Sequence, residues 1–153
     1  MKEAESMAET SYNGQPASDL RPLVCRGIRG ATTAEANTAE DILEATREMM
    51  QILIRLNDLE PEHVVSAIFT TSRDLNATFP AVAAREIGWS EVPLMCAHEM
   101  DVPASLQKAV RVLLQINTTK TASEIRHVYL NGARQLRPEW AYDENEAVVA
   151  NLG

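Results

Sequence analysis

The sequence predicts a small α+β domain of α/β-like character: a mixed five-stranded sheet with one long and one short helix. Three observations predict it. One stretch carries apolar residues at helical spacing, from Ile42 to Leu56. Five short β-rich runs are distributed around it. Their order is β, α, β, α, β, β, β, which a single compact layer of strands covered by helices accommodates.

The first run, LVCRGIR from Leu23 to Arg29, is followed by Gly30, which predicts a strand with a turn after it and Arg29 as its closing residue. The long helix follows. Thr38 is placed to cap it, and Asp41 stands at the capping-box position, where Glu or Gln is preferred. Ile42, Ala45, Met49, Ile52 and Leu56 form one apolar stripe, and Glu44, Glu48, Gln51 and Arg55 lie on the other face. Asn57-Asp58 ends the helix, with Pro61 beyond it. VVSAIFTT, Val64 to Thr71, is nearly apolar throughout, as expected of a central strand covered on both faces. The loop SRDLNATFP leads to a short helix over Ala81 to Ile87, with Gly88 as its C′ residue. Val92 to Cys96, Lys108 to Asn117 and Arg126 to Leu130 supply the last three strands. In the fourth strand Val110, Val112, Leu114 and Ile116 share one face and Arg111 points to the other. Residues 1–22 are small, polar and without period, and read as a flexible tail. Residues 23–138 form the domain, and 139–153 a C-terminal tail expected to pack loosely.

Composition narrows the function. The chain has 153 residues, enough for one domain, and at 45% hydrophobic with only 5% aromatic residues it can bury a mainly aliphatic core. A net charge of −8 argues against nucleic-acid binding, which draws on a basic face. It leaves room for a small anionic ligand, because salt screens charges beyond roughly 10 Å and a local arginine cluster can dominate its own site. Cys25 and Cys96 are too few for a disulfide scaffold and stand in no metal-binding pattern. No apolar run approaches the ~20 residues of a membrane span. The N-terminus has no signal-peptide core and carries Glu3, Glu5 and Glu9, so a cytoplasmic chain is expected.

The informative residues are arginines near strands: Arg29, Arg111, Arg137 before Pro138, and Arg85 on the short helix. A buried unpaired charge costs several kcal/mol, so each is paired, exposed or engaged with an anion. Taken alone, Arg111 either pairs with Glu99, faces solvent at a sheet edge, or belongs to an anion site whose guanidinium forks suit carboxylates. Glu99, Tyr129 and Phe79 read most simply as a turn carboxylate, a half-buried strand residue and a helix start. His63, His98 and His127 have no partners at metal spacing. The chain has no GxGxxG, GxSxG or HExxH motif and no paired carboxylates.

Several segments occur together in order: RGIRGATT at 26–33, FPAVAARE at 79–86, GW at 88–89, VPLMCAHEMDV at 92–102, Arg111 within its strand, IRHVYL at 125–130 and LRP at 136–138. From Arg26 to Pro138 this set is similar to the monofunctional chorismate mutases of the small homotrimeric α/β class. The resemblance implies a homotrimer with active sites between subunits, chorismate as substrate and prephenate as product, and neither cofactor nor metal. By position it implies Arg111 at the ether oxygen, Arg29 on a carboxylate, Glu99 on the substrate hydroxyl with Cys96 and Met95 nearby, and Tyr129 on a carboxylate. Phe79, Arg85 and Arg137 would line or rim the mouth from a neighbouring subunit. The chain departs from the family pattern at Val82, often a lysine, and at Met95, often a small polar residue. Those departures give weight to one alternative, a non-catalytic ligand-binding or regulatory trimer on the same scaffold. A second, an interaction module acting through the acidic tails, has only composition behind it.

Overall fold

The computed structural model describes residues 21–145. Residues 1–20 of the tail expected at 1–22, and residues 146–153 of the tail expected at 139–153, lie outside them. Five strands, β1 (Val24–Thr33), β2 (Val64–Thr71), β3 (Leu94–His98), β4 (Ala109–Thr118) and β5 (Val128–Tyr129), form one mixed sheet in the order β3-β2-β4-β1-β5. β4 is the middle strand, antiparallel to both β1 and β2. The outer pairs, β2–β3 and β1–β5, are parallel.

Helix α1 (Ala39–Asn57) starts and stops where its end signals stand. The Thr38 side chain accepts from the Asp41 N–H at 3.1 Å, and Asp58 takes a left-handed conformation that ends it. The apolar stripe faces the sheet, with Ile42, Met49 and Leu53 fully buried. Each such side chain contributes about 1.5–3 kcal/mol. Buried Asn57 fixes the far end: it donates to Leu53 O at 3.0 Å and Arg126 O at 2.9 Å, and accepts from Arg126 N at 2.8 Å. The same bonds anchor the chain just before β5. Helix α2 (Ala81–Glu86) packs on the same side of the sheet, burying Ala81 and Ala84 in the shared core. Gly88 follows with φ 103°, a conformation that glycine adopts without steric cost.

Several boundaries differ from expectation. Gly30 is no turn: β1 runs through it to Thr33, so Arg29 stands within the strand and not at its end. A Cβ on Gly30 would lie 2.7 Å from Leu53 Cδ1, so the glycine is there to let α1 approach the sheet. β3 begins at Leu94, after Pro93, which has no N–H to give to a ladder. β5 shrinks to two residues, because the Arg126 N–H is spent on Asn57.

β2 is an interior strand, but it is not covered on both faces within one chain. Ala67, Phe69 and Thr71 are buried under the helices, whereas Ile68 is 39% exposed. On the same open face, Leu113 of β4 pairs with Ile68, and so does Met95 of β3, which is 63% exposed.

Candidate functional site

The open face of the sheet carries the charged residues. Register places Thr70, Arg111 and Ala31 side by side across β2, β4 and β1, and Ala31 pairs onward with Tyr129 of β5. Arg29, one pleat away, pairs with Leu113. Alternation along β4 is what puts Arg111 here: Val110 and Val112 turn into the core and Arg111 turns away from it.

Arg111 is held but not saturated. Its Nη1 lies 3.7 Å from Glu99 Oε2, an ion pair with both side chains partly shielded. Its Nε is buried and finds no acceptor among the described residues. Glu99 is itself fixed twice. Its backbone N–H donates to Thr71 O at 2.8 Å, and Thr70 Oγ1 donates to Glu99 Oε1 at 2.7 Å. Nothing local in the sequence marks Thr70, because the nearly apolar run of β2 hides the alternation that sets Ser66, Ile68 and Thr70 apart. An open cleft beside the pair is lined by Arg111, Glu99, Arg73, Asp101 and Leu106. Arg73 is an exposed arginine in the loop after β2, with no local sequence signal that ties it to Arg111.

At the β5 edge, Tyr129 is buried against Ala31, Ala133 and Trp140. Arg29 donates its backbone N–H to His127 Nδ1 at 3.0 Å, so an imidazole ring continues the ladder where β5 stops. Burial, then the charges of Arg137 and Arg29, hold the His127 pKa below the ordinary histidine value. The neutral ring is therefore favoured in the fold and less so in the unfolded chain. That stability is present above the unfolded pKa and is lost as pH falls through the folded one. Thermal unfolding of wild type and His127→Asn, compared across the acid side of the ordinary histidine pKa, checks this: the variant loses less stability on acidification. Equal losses would remove His127 from the account.

Other expected site residues lie apart. Cys96 pairs with Phe69 in parallel register, so its thiol packs at the edge of the helix-side core and away from Arg111. It can offer a ligand backbone only. Phe79, 68% exposed, and Arg85 lie before and on α2, which packs on the helix side of the sheet, away from the face that carries Arg111. Arg137, expected from a neighbouring subunit, stands at this chain's own β5 edge, with its guanidinium carbon 3.7 Å from the centroid of the Trp140 ring.

A family model described as "Chorismate mutase type I" matches residues 25–140. The chain belongs to that family. Among chorismate mutases, it is 43% identical to the chorismate mutase AroH of Bacillus subtilis (strain 168) over 124 residues, covering 80% of this chain and 98% of the relative. It is 46% identical to the AroH of Thermus thermophilus over 115 residues, covering 74% and 94% respectively. A chorismate mutase structure from Clostridium thermocellum superimposes with a TM-score of 0.71 at 47% identity, covering 72% of this chain and 98% of that one. The mixed five-stranded α+β architecture is thus that of a chorismate mutase. No helix among the described residues is long and apolar enough to cross a membrane.

Proposed function

We propose that the chain catalyses the unimolecular [3,3] rearrangement of chorismate to prephenate, a step toward phenylalanine and tyrosine. The observation that carries this reading is Arg111: a guanidinium on the open sheet face, with a buried Nε–H that finds no acceptor among the described residues. An unmade buried hydrogen bond costs about 1–3 kcal/mol, more for a charged group, which a ligand oxygen would recover.

The reaction breaks a C–O bond as a C–C bond forms, and no proton needs to move. The protein must hold a flexible dianion in its compact shape. It must also stabilise negative charge growing on the ether oxygen. Arg111 suits the second task, since it is always charged and rigidly forked. Glu99, locked by Thr70, would accept the substrate hydroxyl and keep Arg111 in place. Arg29 and Tyr129 would take carboxylates, and the backbone around Met95 and Cys96 would border the hydroxyl side.

A single chain leaves this site half built. The exposed apolar face around Ile68, Leu113 and Met95 supports a homotrimer whose sheets cover one another. The position of Phe79 and Arg85 in the opposite layer supports their reaching a neighbouring subunit's site. Identity to named chorismate mutases over most of the chain favours the enzyme over a non-catalytic protein on the same scaffold. The test is direct: the purified chain mixed with chorismate consumes it and yields prephenate. Tight binding without turnover would instead make it a binding protein.

A further inference from the structure

The segment after Pro138 was expected to pack loosely, and its first residues do not. Pro138–Trp140 form a 3-10 turn, Ala141 bridges to Tyr129, and the Tyr142 N–H donates to Tyr129 O at 2.9 Å. Arg55 Nη2 then donates to the Tyr142 hydroxyl at 2.7 Å, tying the segment to α1. This docking sets the Trp140 ring among three side chains at once. Its centroid is 4.1 Å from that of His127 and 5.7 Å from that of Tyr129, both tilted, and Arg137 stacks over its face. Glu139 Oε1 accepts from Arg137 Nε at 2.6 Å. The guanidinium is thereby fixed by its face and by one edge.

We infer that Trp140 is a positioning residue, which holds Tyr129 and Arg137 in a fixed arrangement for carboxylate binding. The inference rests on the proposed function, and it adds Trp140, a residue to which that reading gives no role. A free arginine samples many rotamers, and each must be lost on binding. An arginine already stacked on an indole has given up much of that freedom beforehand. The aromatic face does this without adding a competing carboxylate, unlike a second acidic partner. Tyr129, backed by the same ring, is kept from swinging into the space behind it. The effect belongs to substrate binding, since neither Tyr129 nor Arg137 is bonded to Arg111 Nε.

The test compares Trp140→Leu, which keeps an apolar side chain but loses the ring, with Trp140→Phe, which keeps a ring. Steady-state kinetics with chorismate are measured where all variants remain folded. Trp140→Leu raises KM by about five- to tenfold with kcat changed little, the scale of a lost cation–π and aromatic contact, and Trp140→Phe recovers most of it. Arg137→Ala is then made in both backgrounds, and its effect on KM shrinks when Trp140 is already leucine. An unchanged KM in Trp140→Leu, or effects that multiply independently, overturns the inference alone. A wild-type chain that neither binds nor turns over chorismate overturns the functional reading and this inference with it.

Discussion

Replacing Arg111 by glutamine lowers kcat by about 10²–10³, the cost of one lost oxyanion donor, or about 3–4 kcal/mol. KM changes much less. The split matters because a group that meets charge only as the C–O bond stretches acts on the transition state and hardly on the bound ground state. Glutamine keeps length and polarity and removes the positive charge. Arg111→Lys separates charge from shape: it keeps the charge, loses the fork, and falls between the two. Glu99 remains tethered by Thr70 in both variants, so the site's frame persists. A rise in KM alone, with kcat intact, would reduce Arg111 to a binding residue and defeat the proposed mechanism.

Gly30→Ala destabilises the fold by about 1–3 kcal/mol, the range for overpacking a tight core. The new Cβ would meet Leu53 Cδ1 at 2.7 Å, Val112 Cγ1 at 3.0 Å and Met49 Sδ at 3.1 Å. All three side chains are essentially fully buried, so none has solvent to retreat into. The helix must lift or β1 must bow. Gly27→Ala is the control, because its Cβ would touch Leu113 Cδ1 at an ordinary 3.7 Å. Urea midpoints at one fixed protein concentration compare the two. A Gly30→Ala midpoint equal to that of wild type would mean that α1 does not rest on this strand as closely as described.

Local signals carried the reading far where the physics is local. The Thr38 cap, the Ile42–Ile52 stripe and the Asp58 stop all act within a few residues, and α1 follows them. Alternation alone put Arg111 opposite Val110 and Val112. The misses share a different cause: each depends on a neighbour distant in sequence. Gly30 resembles a turn until Leu53 stands over it. Thr70 looks like core until Glu99 reaches back to it. Cys96 lies three residues before Glu99, yet the pleat turns its thiol to the other layer. Trp140 opens an acidic, apparently idle tail, and only the bridge between Ala141 and Tyr129 reveals what it touches. Ordered motifs, not periodicity, linked Arg29, Glu99 and Arg111, since no spacing rule relates three strands paired by tertiary structure.

The place of β1 in the sheet also has a consequence for how the chain acquires its fold. Both of its neighbours come late: Val24 pairs with Thr118, and Gly30 with Val128. During synthesis the first strand must wait, with no partner on either edge, until most of the domain has followed it. Among the described residues, helix α1 is the next element made and the one nearby in sequence that can shelter its apolar face. Pairings of such long range close large loops before they are rewarded, which slows folding relative to helical proteins of similar size. The strand that carries Arg29 is therefore among the first written and the last to be secured.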